Sequence, residues 1–269
     1  MKAGPGHLHL PVAGTIAFAA LAFLYVPIFV LVILSFNASD ITTIWSGFST
    51  RWYASALDND DMLQALLNSI IVATFATTLA VIMSTAAVLG IPAVAWRRAA
   101  ESLVGLPLLV PEIVSAVALL VLFVLSGFRL GLVTIILAHT VFCIPFAYYP
   151  IRSRLAGLDP VLLEAGSDLY AQPWQRFWRI EMPLLAPGIL AGALLAFISS
   201  LGDFVVTYFV SGPGSTTLPV YIYGLIRVGV TPEVNALSAL LLAATLPPIA
   251  LAFVLRSPTV QSNHGDNTP

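Results

Sequence analysis

The sequence predicts an all-α, polytopic membrane protein of about six transmembrane helices, from its composition, the length of its apolar runs and the placement of its few basic residues. Of 269 residues, 59% are hydrophobic and only 9% are charged. A soluble domain carries about 45–50% apolar and about 25% charged residues. A chain this poor in charge has no means of covering its apolar surface in water, so lipid is its expected solvent. A helix rising about 1.5 Å per residue needs about 20 apolar residues to cross a hydrocarbon core about 30 Å thick.

Six stretches meet that length: 12–36, 67–91, 103–125, 130–149, 184–210 and 234–255. The first is longer than the apolar run of a cleaved leader, and no clear small-residue cleavage pattern follows it, so it is expected to be a span. With the N-terminus inside, Lys2, Arg97, Arg98, Arg152, Arg154, Arg176, Arg179 and Arg256 fall on inner segments, and Arg51, Arg129 and Arg227 on outer ones. That is eight of the eleven basic residues inside, which predicts both termini in the cytoplasm. The expected organisation is a cytoplasmic N-terminus (1–11), a membrane domain (12–255) containing a cytoplasmic loop (151–183), and a polar, disordered tail (256–269).

The same composition excludes several function classes. Lys2 is the only lysine, so the chain lacks the interior lysine of a phosphate-binding loop and any ATP must be hydrolysed by another polypeptide. The net charge of −2 gives no footprint for nucleic acid. Cys143 stands alone, which rules out an intrachain disulfide and a cysteine-built metal cluster; it reads as a small buried hydrophobe. His7 and His9 have no supporting ligand nearby. No cofactor is expected on this chain.

The connections are unequal. The outer segment 37–64 is polar and aromatic and carries Asp58, Asp60 and Asp61. In the inner loop, Asp159 followed by Pro160 is a helix-start signal, predicting a short helix over 160–170. Gln172-Pro173 then restarts a second helix through Phe177 and Ile180. Glu164 and Asp168 stand one turn apart on one face of the first, beside Leu162, Leu163, Gly166 and Leu169. An acid-edged apolar helix of this kind suits docking into a partner's groove. Prolines 107, 111, 145, 247 and 248 interrupt the spans, as expected where neighbouring helices or a water-filled path satisfy the freed carbonyls.

Two acids are embedded in apolar surroundings: Glu112 after Pro111, and Asp203 after Gly202. A carboxylate at mid-membrane costs about 2.5–3.5 kcal/mol on insertion scales, so it faces a cavity, a partner or a cation. Lining a path, the pair would suit an organic polycation, with separated carboxylates meeting its amines. Phe204 and Tyr208 follow Asp203, and Tyr221 and Tyr223 lie further on; an aromatic face attracts an ammonium group by about 0.5–2 kcal/mol. His139 reads as an internally hydrogen-bonded histidine, and Ser199-Ser200 as a packing or hydrogen-bonding pair between helices. Two other functions use the same residues: an ion-coupled secondary transporter binding protons or sodium at Glu112 and Asp203, and an intramembrane enzyme built on His139 and the acids.

The loop Glu164-Ala165-Gly166-Ser-Asp168-Leu-Tyr170, continuing to Ile180-Glu-Met-Pro183, resembles the cytoplasmic signature of ABC-importer permeases, E-A-A, three residues, G, nine residues, I-x-L-P. Glu164, Ala165, Ile180 and Pro183 match; Gly166, Tyr170 and Met182 depart from it. The family glycine permits a tight turn and Tyr170 resists positive φ, so either the turn is rebuilt around Gln172-Pro173 or the docking surface differs. Other segments extend the likeness over nearly the whole chain: Trp45-Ser-Gly47-Phe48, Arg51-Trp52-Tyr53, His139-Thr-Val-Phe-Cys-Ile-Pro145-Phe, Gly202-Asp203-Phe-Val-Val, Ser211-Gly-Pro-Gly214, Leu218-Pro219 and Val228-Gly-Val-Thr-Pro-Glu-Val-Asn-Ala-Leu237. Together they are similar to the spermidine/putrescine branch of these permeases. The resemblance implies the type I importer arrangement in the cell inner membrane, with ATP and magnesium on two cytoplasmic ATPase subunits. It also implies a second permease subunit and an extracytoplasmic substrate-binding protein. A permease of this kind for a different small solute is the neighbouring alternative.

Overall fold

The computed structural model describes residues 10–42, 44–159, 172–229 and 231–254, with backbone alone for 10–13, 173 and 248–254. Its helices are α1 (Leu10–Leu34), α2 (Arg51–Leu57), α3 (Asp60–Gly90), α4 (Arg97–Leu109), α5 (Glu112–Leu125), α6 (Leu132–Ala156), α7 (Pro173–Arg176), α8 (Met182–Leu201), α9 (Val205–Val210), α10 (Leu218–Val228) and α11 (Pro232–Val254). Extended pairing among the described residues is limited to one bridge, Asn37 to Phe48. The expected all-α class holds.

Among the described residues, four helical stretches are long and apolar enough to cross a membrane: Gly14–Leu34, Asp60–Ala93, Leu132–Ala156 and Trp174–Leu201. Helices α4 and α5 make a fifth if taken together as one broken span, bent by 104°. The sixth expected stretch, 234–255, falls on α11. Coupling residues Glu164, Ala165, Gly166, Asp168 and Tyr170 lie outside the described residues. Ile180 and Pro183 lie within them, Ile180 in a π-helical turn (Phe177–Glu181) and Pro183 in the first turn of α8. The helix restart at Gln172-Pro173 is present as α7, which runs through the π turn into α8.

Two expected spans are interrupted, each for a local reason. Val110 precedes a proline, whose ring pushes it out of the helical region, and it is extended at ψ 132. Pro111 contributes no N–H, so α4 stops and α5 restarts at Glu112. The stretch 184–210 breaks at Gly202–Phe204. There the Asp203 carboxylate accepts the Thr207 backbone N–H at 3.0 Å, a bond that a continuous helix would give to the Asp203 carbonyl.

The chain forms two compact units. The first comprises residues 1–63 and 221–243. Its outer loop is organised by Asn37, which is fully buried. The Asn37 side chain accepts from the N–H groups of Ser39 and Ser46, both at 3.1 Å, and donates to the Ile44 carbonyl at 2.8 Å. Trp52 donates to the Asn37 carbonyl at 2.9 Å, Phe36 stacks on Phe48, and Ser35 and Tyr53 share a hydrogen bond of 2.6 Å. The paired motifs at 45–48 and 51–53 thus close one cap.

The second unit comprises residues 64–220 and 244–269. Its spine is α6 packed on α8. Leu185, Gly188, Gly192, Ala196 and Ser200 make a buried stripe along α8 at helical spacing. A Cβ on Gly192 would come within 2.7 Å of the Ala147 carbonyl oxygen, and one on Gly188 within 2.6 Å of the Arg154 Cβ. The two glycines, four residues apart, therefore let the α8 backbone lie almost directly on α6, as small residues do between membrane helices. Arg154 donates to the Leu184 carbonyl at 2.9 Å, and Ser84 of α3 donates to the Ile144 carbonyl of α6 at 2.9 Å. Beyond the stripe, Val72, Ala116, Phe123, Ile135, Ala138, Val206 and Val210 form an apolar core that holds α5 and α9 against α6.

Candidate functional site

The two helix breaks meet at one cavity of about 480 Å³ inside the second unit. Its floor is the broken segment from Pro107 to Glu112; His139, Phe142, Cys143 and Phe146 of α6 form one wall, and Ser199, Ser200 and Asp203 the other. The α6 residues recur at i, i+3, i+4 and i+7, which places them on a single helix face. A cavity of this size is within the range of small-ligand sites, about 300–1,000 Å³.

Both intramembrane acids face this space, rather than standing apart along a path. Glu112 opens α5 and lines this cavity together with Asp203. Two carboxylates facing one largely apolar space repel each other, and a bound cation relieves that repulsion. No lysine or arginine is among the residues lining the cavity, and the group beside Asp203 is His139.

The Asp203 carboxylate is held by a connected set of hydrogen bonds. Its Oδ1 accepts the backbone N–H of Thr207 at 3.0 Å and the Thr207 hydroxyl at 3.2 Å. His139 Nε2 lies 3.2 Å from the same oxygen and 2.9 Å from Thr207 Oγ1. On the other side of the ring, His139 Nδ1 is 2.7 Å from Ser200 Oγ. The imidazole is 2% exposed and the Asp203 side chain 11%, so neither has bulk water as an alternative partner on most of its surface. The expected internal hydrogen bonding of His139, and the inter-helix role of Ser200, are both present.

Cys143 is buried and its thiol points at the Ala196 carbonyl at 3.4 Å, in keeping with a small packing residue. Phe204 and Tyr208 are not among the residues lining the cavity; they lie against each other with ring centroids 5.4 Å apart, and Tyr208 is 46% exposed. The aromatic wall comes instead from Phe142 and Phe146 of α6. Tyr221 sits in the first unit, bonded to Asn59 at 3.1 Å. Among the described residues no group of three or more His, Cys, Asp or Glu could hold a metal ion. The i, i+3, i+4, i+7 spacing was the available signal for the aromatic wall; nothing local in the sequence pairs it with Asp203.

The family model described as "Binding-protein-dependent transport system inner membrane component" matches residues 94–257. The spermidine/putrescine transport system permease protein PotC of Escherichia coli (strain K12) is 37% identical over 250 residues, covering 92% of this chain and 95% of that protein. The putrescine transport system permease protein PotI of the same strain is 41% identical over 231 residues, covering 82% of each. Among solved structures, a bacterial alginate ABC transporter in complex with an alginate pentasaccharide-bound periplasmic protein contains a chain with the same fold. It has a TM-score of 0.68 at 18% identity, covering 91% of this chain and 92% of that one.

Proposed function

Because the chain belongs to the family of binding-protein-dependent transport system inner membrane components, we propose that it is the permease subunit of an ATP-binding-cassette importer carrying spermidine, putrescine or a related organic cation. The observation that carries the substrate class is that Glu112 and Asp203 line one cavity together with Phe142, Phe146 and apolar residues of the α4–α5 break. A protonated amine meets the carboxylates, and its methylene stem meets the apolar and aromatic wall. The permease relatives named for spermidine and putrescine support the same class.

The work is alternating access and involves no covalent chemistry. ATP and magnesium act on separate subunits; this chain supplies part of the path, with Phe204 and Tyr208 close in sequence to Asp203. Its second task is coupling, through Glu164, Ala165, Gly166, Asp168, Tyr170, Ile180 and Pro183, to one of two cytoplasmic ATPases. Closure of the ATPases then shifts the balance between inward- and outward-facing states. A second permease subunit completes the membrane domain, and an extracytoplasmic binding protein delivers substrate. The apolar α1, with Phe18 73% and Phe23 81% exposed, suits lipid contact. The proposed topology is six spans with both termini in the cytoplasm, resting on the excess of inner basic residues.

Uptake tests this directly. The chain is expressed with its neighbouring transporter subunits in cells lacking polyamine uptake, and entry of labelled spermidine and putrescine is measured for wild type, Asp203→Asn and Glu164→Ala. The expected result is saturable entry by wild type, lowered by about tenfold or more in Asp203→Asn and lost in Glu164→Ala. A complex that assembles and hydrolyses ATP but admits neither compound would overturn the polyamine assignment and leave the permease assignment standing.

A further inference from the structure

We infer that His139 is the positioning residue of this site: through the Thr207 hydroxyl it fixes one oxygen of Asp203 and so aims the other, together with Glu112, at a single protonated amine. The inference rests on the reading of the cavity as the cation path. It follows from the direction of each hydrogen bond. With Asp203 ionised, the carboxylate only accepts, so the Thr207 hydroxyl spends its one proton on Asp203 Oδ1. Toward His139 the same hydroxyl must then accept, which places the ring proton on Nε2. Nε2 also lies 3.2 Å from Asp203 Oδ1, so the ring N–H that bonds the Thr207 hydroxyl stands beside the carboxylate as well. Nδ1 of the neutral ring is left as an acceptor, and the Ser200 hydroxyl donates to it at 2.7 Å.

The chain of donors therefore runs one way, from Ser200 through His139 and Thr207 to Asp203. Two donors converge on Oδ1, the Thr207 N–H and the Thr207 hydroxyl, and His139 holds that hydroxyl in place from 2.9 Å. Oδ2 takes none of these bonds. A carboxylate tied by Oδ1 is held in place, which leaves Oδ2 to act at the cavity that Glu112 also lines. That arrangement suits one ammonium group, which brings three N–H donors to two acids at once. Phe142, Cys143 and Phe146 continue from His139 along the same face of α6 and give the stem of the ligand an apolar track.

A double-mutant cycle separates positioning from general support of the fold. Uptake of labelled putrescine, normalised to the amount of assembled complex, is measured for wild type, His139→Asn, His139→Gln, Asp203→Asn and the double variant His139→Asn with Asp203→Asn. Asparagine retains a polar atom only near the Nδ1 position, whereas glutamine reaches the Nε2 position with a donor. Expected is a fall of about tenfold for His139→Asn, as for the loss of a buried hydrogen bond that leaves its partner hydroxyl unheld, with His139→Gln within about threefold of wild type. Since His139 acts through Asp203, the double variant should be no worse than Asp203→Asn alone. If His139→Asn leaves uptake unchanged, glutamine rescues nothing, or the two losses multiply, His139 is structural and the inference is overturned. If Asp203→Asn itself transports normally, the reading of the cavity fails, and the inference with it. Should His139→Asn not assemble, Thr207→Val, which removes the hydroxyl shared by ring and carboxylate, takes its place in the same cycle.

Discussion

Helices α6 and α8 share one long contact whose two ends behave oppositely. At the end nearer Gly188 and Gly192, the backbones approach so closely that a methyl group does not fit against the Ala147 carbonyl. Toward Ser200 and Asp203, the same pair of helices opens onto a cavity and exchanges side-chain hydrogen bonds through His139. The tight end is built on backbone contact, with the Arg154 bond to the Leu184 carbonyl beside it, and leaves no room for a side chain on Gly192. The open end concentrates buried polar groups, each dependent on the next. Within one helix pair, then, the sequence alternates a rigid contact with a polar site, and the rigid part supplies the precision that the site requires.

Gly192→Leu breaks the tight end and should have the largest effect. A leucine cannot be placed without driving α8 off α6, because the obstructing atoms are backbone. Overpacking of this kind costs about 3 kcal/mol and more where the backbone must shift. The expected outcome is loss of most monodisperse protein on detergent size-exclusion chromatography. Recovery at wild-type yield and melting temperature would mean that the two helices do not touch as described.

Sharpening the open end comes next in size, through the two acids. Asp203 is held by its neighbours and nearly buried, while Glu112 stands at the mouth of α5 with no such anchoring. Asp203→Asn should therefore lower uptake by about tenfold or more, and Glu112→Gln by about threefold. Labelled putrescine entry per assembled complex checks both. The reverse ranking would make Glu112 the principal cation ligand and Asp203 chiefly a helix-breaking residue.

Much of the helical framework was legible in the sequence, because apolar run length and proline position are local properties, whereas the close contact at Gly188 and Gly192 was not read from it. Pro111 announced a break, and the structure converts it into a bend of 104° that carries Glu112 to the cavity. The break at Asp203 was harder to see. Nothing in a glycine followed by an aspartate says that the side chain will take Thr207's N–H from its own backbone. The helices α2 and α10 lie in segments whose mixed polarity left only "outer loop" to be read. Above all, the site depends on pairings across 61 and 68 residues of chain, between His139 and Ser200 and between His139 and Thr207. Periodicity places residues on faces but does not say which faces meet. For that reason Phe204 and Tyr208, adjacent to Asp203 in sequence, were the expected aromatic partners, whereas Phe142 and Phe146 occupy the wall. For the same reason the acids were expected to meet separate amines, and they instead face one cavity.

The smallest expected effect probes whether α3 belongs to the rigid part. Ser84 of α3 donates to the Ile144 carbonyl of α6 at 2.9 Å, and its hydroxyl is fully buried. Inter-helix hydrogen bonds in membrane proteins contribute about 0.6 kcal/mol on average, since the competing state also finds partners for the same groups. Ser84→Ala should thus lower the melting temperature of the purified complex by about 1–2 °C, with putrescine uptake unchanged. The carbonyl it leaves keeps the option of its own helix bond, so no buried group is stranded outright. A change in uptake without a change in melting temperature would place α3 among the moving parts instead. The hydroxyl would then hold α3 to α6 in only one of the transport states, and the rigid contact would be confined to α6 and α8.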